Sequence, residues 1–388
     1  KMTAKQFKQV TLIFVLMAII IVSGYKYYQY HNETENFGNN KKIKQHKIKP
    51  ALKTVIDDKN SRINAVNQYL EQTGFNGTMA IFERGQLKLN KGYGIKDFAN
   101  NEHNRADSMY LIGSAQKFIT GLMLKQLENE HKIDINEPVM KYLPYFKTNQ
   151  VITLKQLILH QSGLYKYKAN QRFKDLDDAV HAIKDKGIET KFYNKFRYND
   201  ANYLVLARVI EEVTGKSYVK SFDERISRPF QLNFTAFYND LKLRNKMAVG
   251  YKKGADSESP VEQRPHILQQ YYGAGNLFMT PYDMGYLILN LQQNHIFNHK
   301  ITNPFLHESF TEQYPQPYRF GFYVFEDKNR INGKFFGQVF TAYFNQDYII
   351  VSGSNFENSN TNNERKMEYI YYQILDQGAP YNIMGKSY

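Results

Sequence analysis

The sequence of 388 residues is long enough for one large domain or two, and its 42% hydrophobic and 15% aromatic content is typical of a globular protein and excludes extensive disorder. It contains no cysteine, which excludes disulfides, thiolate metal sites and a cysteine nucleophile. The formal net charge of +14 is compatible with nucleic acid, anionic lipid or an anionic wall polymer as partner, or simply with a solvated, lysine-rich surface. No nucleic-acid-binding motif is present, so nucleic acid is not expected as a partner.

Residues 1–25 have the pattern of an export signal. Three lysines among the first eight residues precede an apolar run over residues 10–22, an order that predicts a signal peptide or an uncleaved signal anchor. No clear cleavage site follows, which favours an anchor in the cytoplasmic membrane over secretion to the cell wall. The polar, basic residues 26–58 predict a spacer. An extracytoplasmic domain is then expected over residues 59–380.

Helical and strand patterns alternate in the first part of this domain. Apolar residues recur at helical spacing from Ser61 onward, and two apolar stretches that flank Arg84-Gly85 predict a β-hairpin. A long helix is predicted to begin at Ser114. Another, over residues 203–213, is predicted to end at Gly215.

Strands return near the C-terminus. A second hairpin is predicted across Asn345-Gln346-Asp347, and a closing helix over residues 364–375. The order of elements predicts an α/β (α+β) fold in which an antiparallel sheet is flanked by helices. Its sheet part would comprise residues 59–110 and about 275–380, and its mostly helical part about 114–274.

Ser114 and Lys117 match the Ser-x-x-Lys pattern of a serine nucleophile with its base. Residues three apart share one face of a helix, so Ser Oγ and Lys Nζ can meet one turn apart. The pattern also occurs at Ser23, in the apolar N-terminal segment, and at Ser217, just after a predicted helix end. Only Ser114 opens a long helix, which favours it as the nucleophile.

Four landmarks occur together in one order, and through them the chain resembles the serine β-lactamase and penicillin-binding-protein-like family (class C-like) over about residues 60–375. They are Leu-Ile-Gly-Ser-Ala-Gln-Lys over residues 111–117, the segment 152–164, Tyr198-Asn199-Asp200, and Gly-Ala-Gly-Asn-Leu over residues 273–277. Within the family, the Tyr-Asn-Asp triplet and residues 332–337 are most similar to the FmtA-type teichoic acid D-alanyl esterases of staphylococci. The resemblance implies a serine β-lactamase/transpeptidase-like fold and no cofactor.

The resemblance also implies a role for each matching residue. Ser114 would be acylated, and its backbone N–H would help to form an oxyanion hole. Lys117 would accept the serine proton, and Tyr198 would relay a proton to the leaving oxygen. The strand segment Asn332-Gly333-Lys334 would bind substrate, with the N–H of Lys334 as the second oxyanion donor.

Two positions depart from the family pattern. Asp200 replaces the usual asparagine; a carboxylate cannot donate a hydrogen bond to a substrate amide, and its charge favours the ammonium form of Lys117. Ile331 replaces the usual lysine or histidine, so the cation that would hold a substrate carboxylate is missing unless Arg330 substitutes for it. Both departures favour a D-alanyl ester, which carries an ammonium group and no carboxylate.

The sequence therefore predicts a serine hydrolase that forms an acyl-Ser114 intermediate and removes D-alanine from teichoic acid. Two alternatives stay open. One is a penicillin-binding D,D-carboxypeptidase or weak β-lactamase-like enzyme that forms a covalent β-lactam adduct. The other is a noncatalytic protein that binds a cell-wall polymer. His160 is not expected to act as a base, because its segment has a structural role in the family, and no metal-binding histidine spacing occurs.

Overall fold

The computed structural model describes residues 52–256, 259–308, 314–357 and 362–378. The predicted anchor, most of the predicted spacer and the last two residues of the predicted domain lie outside these ranges. Across the described ranges, no helix has both the length and the apolar character needed to cross a membrane.

Short and long strands form the sheets of the described chain. In chain order they are β1 (Val55–Ile56), β2 (Gly77–Glu83), β3 (Gln86–Tyr93), β4 (Ile95–Asp97), β5 (Glu102–His103), β6 (Tyr110–Leu111), β7 (Thr235–Phe237), β8 (Gly250–Lys253), β9 (Pro260–Gln263), β10 (Leu277–Met279), β11 (Tyr323–Val324), β12 (Asn329–Phe335), β13 (Gln338–Phe344) and β14 (Tyr348–Ser354). The main sheet is antiparallel throughout, with strand order β1-β3-β2-β14-β13-β12-β11. Smaller sheets pair β6-β10-β7, β4-β5 and β8-β9.

The α-helices of the described ranges surround the main sheet and form a second, helix-rich part. They are α1 (Ser61–Gln72), α2 (Gln116–Asn129), α3 (Leu154–Ile158), α4 (Leu176–Lys186), α5 (Asp200–Thr214), α6 (Tyr218–Phe222), α7 (Pro281–Gln292), α8 (His299–His307) and α9 (Asn363–Glu368). A 3-10 turn over Gly113–Ala115 leads into α2, and a π-helical segment over Tyr369–Ile374 continues α9.

The central strands bury both faces of the main sheet. Side chains alternate along a strand, so Ile349 and Val351 of β14 join the core that contains α7, whereas Ile350 faces the core formed by α1 and the C-terminal helical segment. All three side chains are almost fully buried. The sheet is therefore a buried layer between two groups of helices.

The fold class predicted from the sequence is confirmed, including both hairpins and the helix that ends at Gly215, which adopts a left-handed conformation. The region 114–274, predicted as mostly helical, holds α2–α6 but also β7, β8 and β9. These strands have three or four residues each, too few to show a clear alternation of polar and apolar residues.

Helix α2 packs backbone to backbone against the segment that precedes β11. At Gly121 of α2, a β-carbon would stand 2.0 Å from the carbonyl oxygen of Phe320, well inside van der Waals contact. Glycine normally weakens a helix interior, so its presence here reflects this close approach.

We expect Gly121→Ala to lower the free energy of unfolding by about 1–3 kcal/mol, the usual cost of overpacking a core. Helix propensity alone would favour alanine by about 1 kcal/mol. Asn129→Ala is the matched control, since Asn129 is exposed in the last turn of the same helix and should keep or slightly raise stability. Urea denaturation of both variants gives the comparison, and a stabilised Gly121→Ala protein would contradict the packing described.

Candidate active site

Ser114 lies at the start of the long helix, as its sequence context predicts. It occupies the 3-10 turn between β6 and α2, and the Nζ of Lys117, one turn further along, lies 2.9 Å from its Oγ. The Lys117 side chain is completely buried. A buried ammonium group needs a charged partner, because burial alone disfavours the charged form.

Asp200 supplies that partner from the N-terminus of α5. Its Oδ1 accepts a hydrogen bond from Lys117 Nζ at 2.6 Å. Burial alone lowers the pKa of Lys117, but the negative charge of Asp200, together with Tyr198, outweighs burial and holds this pKa above its usual value. Lys117 is therefore an ammonium at neutral pH and donates to Ser114 Oγ.

The Tyr-Asn-Asp triplet forms the start of α5. Asn199 caps the helix, since its side-chain oxygen accepts from the backbone N–H of Ala201, and Asp200 occupies the first turn, where a negative charge is favourable. Tyr198, just before the cap, places its ring 4.9 Å from Lys117 Nζ. Helix capping thus fixes the local backbone of this triplet, beside Lys117.

His160 is buried behind this triplet and has no hydrogen bond to Ser114. Its Nδ1 accepts from the backbone N–H of Asn199 at 3.2 Å and lies 2.8 Å from Asn202 Nδ2, and its ring centre is 4.4 Å from that of Tyr198. Burial and the positive charge of Lys117 hold the pKa of His160 well below its usual value. A neutral His160 therefore packs against the Tyr198 ring and accepts a hydrogen bond from the Asn199 backbone.

Strand β12 forms the opposite wall of the site. A β-carbon at Gly333 would stand 1.9 Å from the carbonyl oxygen of Ile112 and 2.8 Å from the backbone nitrogen of Ser114, and one at Gly113 would stand 3.2 Å from the backbone nitrogen of Lys334. Glycine at 333 thus permits the strand to approach the Ser114 turn. Ser114 and Lys334 both line the same cavity.

The polar side chains of β12 near the cavity form hydrogen bonds and ion pairs with neighbouring residues. Asn332 accepts a hydrogen bond from Thr341 Oγ1 at 2.8 Å, and Lys334 directs its Nζ to Glu357 at 3.1 Å. Arg330, the possible replacement for the missing cation, binds both carboxylate oxygens of Glu364 at 2.8 and 3.1 Å. Its charge is therefore already compensated, and Ile331 points into the core.

The cavity at Ser114 has a volume of about 310 Å³. The structure brings Ser114, Tyr198, Arg330, Asn332, Gly333 and Lys334 to its lining. The buried Lys117 lies beneath it, against Ser114. Three lining residues were not predicted from the sequence, namely Tyr318, Gly321 and Tyr323. No local signal marks them, since the chain contains 31 tyrosines and 23 glycines.

The described ranges contain no group of three or more histidine, aspartate or glutamate residues arranged to hold a metal ion.

Gln116, between Ser114 and Lys117, is buried and accepts hydrogen bonds from the backbone N–H groups of Asn276 and Leu277 at 2.7 and 2.9 Å. It therefore fixes the 273–277 segment against the helix that carries the site.

The chain is similar to known proteins in both sequence and fold. The chain is 52% identical to the teichoic acid D-alanine hydrolase of Staphylococcus aureus over 359 residues, which cover 92% of this chain and 89% of the relative. The crystal structure of FmtA from Staphylococcus aureus superposes with a TM-score of 0.82 at 53% identity, covering 87% of this chain and 93% of that chain.

A more distant structure shares the fold. The penicillin-binding protein from Bacillus halodurans superposes with a TM-score of 0.66 at 19% identity, covering 79% of this chain and 98% of that chain. The β-lactamase family model matches residues 63–373, a range that contains every residue of the site. The chain therefore belongs to the β-lactamase family.

Proposed function

We propose that this protein is an extracytoplasmic D-alanyl esterase that removes D-alanine from teichoic acid through an acyl-Ser114 intermediate. The observation that carries the proposal is the contact between the buried Lys117 ammonium and the Asp200 carboxylate beside Ser114. The name of the 52% identical relative, a teichoic acid D-alanine hydrolase, supports the same substrate. Residues 1–25 would anchor or export the chain to the envelope that contains this polymer.

The charges around the cavity favour an alanyl ester over a peptide that ends in a carboxylate. Ile331 provides no cation, and Arg330 is neutralised by Glu364. The side chain of Asp200, though paired with Lys117, is 33% exposed, and we infer that its carboxylate attracts the ammonium group of a D-alanyl ester. A β-lactam or a D-Ala-D-Ala peptide presents the opposite charge.

The proton of Ser114 needs an acceptor, and protonated Lys117 is not one. We infer that Lys117 passes one of its protons to Asp200 across their 2.6 Å contact as it receives the serine proton. The net result is that Ser114 Oγ bonds to the ester carbonyl carbon while Asp200 holds the proton. The backbone N–H groups of Ser114 and Lys334 would stabilise the oxyanion.

Tyr198 would complete the first half of the reaction. Its hydroxyl gives a proton to the departing polymer oxygen as the ester bond breaks, and regains one from the Lys117–Asp200 pair. In the second half, water attacks the D-alanyl-Ser114 ester. Its proton passes through the same groups to Ser114 Oγ, and D-alanine leaves.

Ser114→Ala should reduce the release of D-alanine from D-alanylated lipoteichoic acid by at least about 10³-fold, because the nucleophile is lost. Ser217→Ala is the matched control, since Ser217 belongs to a second Ser-x-x-Lys pattern but caps α6, accepting from the backbone N–H of Lys220. Chromatographic measurement of released D-alanine distinguishes the two. Undiminished release by Ser114→Ala, or cleavage of a D-Ala-D-Ala peptide without ester turnover, would refute the proposal.

Asp200→Asn should lower ester turnover at neutral pH by about 10²-fold, a usual loss for general acid–base groups. Without the carboxylate, burial dominates and the pKa of Lys117 falls, so residual activity should rise with pH as neutral lysine accumulates. The native protein, whose Lys117 pKa is raised, should show no such rise between about pH 7 and 9.

The measurement is kcat/KM against pH for both proteins, after subtraction of the rate seen with Ser114→Ala, which reports spontaneous ester hydrolysis. Asp177→Asn is the charge-matched control, because Asp177 pairs with Arg208 on the surface and does not line the cavity at Ser114. Parallel pH profiles for the native and Asp200→Asn proteins would exclude the proposed proton path.

A further inference from the structure

A second cavity, of about 200 Å³, lies between the loop over residues 165–173 and the last turns of α4. Its lining combines lysines with aromatic and aliphatic residues: Lys166, Lys168, Lys186, Tyr165, Phe173 and Ile183. Such a mixture suits a ligand that carries negative charge on a carbon chain, because ammonium groups bind the anion while apolar walls cover the carbon atoms.

The positive charge of this cavity is uncompensated within the described ranges. Residues 165–174 contain four basic residues and no acidic one. No carboxylate of the described residues forms an ion pair with any of the three lining lysines, whereas the acidic side chains of α4 have other partners. Asp177 binds Arg208, Asp178 accepts from the backbone N–H of Lys174, and Asp185 binds Lys184.

The loop that forms this cavity is bonded directly to the active site. Lys166 Nζ donates to the carbonyl oxygen of Tyr198 at 2.5 Å, and the backbone N–H of Tyr167 donates to Asn199 Oδ1 at 3.1 Å. Asn199 in turn donates to the carbonyl oxygens of Leu164 and Tyr165. The loop that forms the cavity therefore adjoins the active site at Tyr198 and Asn199.

We propose that this lysine-lined cavity binds a phosphodiester of the same polymer chain whose alanyl ester is at Ser114. The inference rests on the proposed function, which supplies a polyol chain joined by phosphodiesters. Phosphodiesters are ionised at all physiological pH values, and lysine binds them as a point charge. The cavity would therefore raise the affinity for long chains and leave the chemistry at Ser114 unchanged.

The test uses Lys168→Gln/Lys186→Gln in the full chain, because Lys166 contacts the active-site backbone and is left intact. The matched control is Lys242→Gln/Lys300→Gln, two exposed lysines that line neither cavity. Binding is measured on a Ser114→Ala background with unsubstituted poly(glycerol phosphate). We expect about tenfold weaker binding and a shallower salt dependence for the cavity variant, and no change for the control.

Turnover provides the second readout. With Ser114 intact, the cavity variant should show a KM for D-alanylated lipoteichoic acid raised about tenfold, with the same kcat and the same rate on D-alanine methyl ester. Equal behaviour of the two double variants would overturn the cavity assignment even if the esterase proposal holds. If the cavity variant binds the polymer more weakly but the native chain shows no ester turnover, the assignment of the cavity to a phosphodiester is supported and the proposed esterase activity is refuted.

A membrane surface is the competing occupant. If the cavity variant loses affinity for phosphatidylglycerol vesicles relative to the control variant, while binding soluble poly(glycerol phosphate) normally, the assignment to a polymer chain is wrong.

Discussion

The buried contact between Lys117 and Asp200 is the interaction on which the site depends. A fully buried ammonium group is costly without a partner, and here its partner comes from a different helix, 83 positions along the chain. The ion pair therefore joins the start of α2 to the start of α5. It also contributes to the protonation state beside Ser114, because burial lowers the pKa of Lys117 but Asp200, together with Tyr198, outweighs burial and raises it.

The surrounding fold keeps this contact in place. His160 supports the Tyr198-Asn199 backbone from below, and Gln116 ties the 273–277 segment to α2. On the other side of the Ser114 turn, strand β12 of the main sheet packs closely against it. Position 333 must be glycine for this approach, because a β-carbon there would clash with the backbone of the turn. The nucleophile, the ion pair and the strand thus belong to three elements that packing holds together. Such preorganisation is what an oxyanion site requires.

Local patterns account for what could be predicted from the sequence. The Ser-x-x-Lys spacing and the apolar hairpin across residues 345–347 each act over a few residues, and each has the predicted local structure. The helix predicted over residues 203–213 is also present, but it begins earlier, at Asp200, after the Asn199 cap. Two features depend on long-range packing, which a local sequence pattern does not encode. They are the ion pair of Arg330 with Glu364 and the positions of Tyr318 and Tyr323 at the cavity. For the same reason the contact of Lys166 with Tyr198, 32 positions apart, could not be foreseen.

The proposed reaction requires the ester carbonyl carbon of the substrate to become bonded to Ser114 Oγ. Its most direct test is mass spectrometry of the full chain, acid-quenched within the first turnovers on D-alanylated lipoteichoic acid and digested. An alanyl group on the peptide that contains Ser114 is the predicted result. Released D-alanine with no adduct, or with the alanyl group on another residue, would exclude Ser114 as the residue that is acylated.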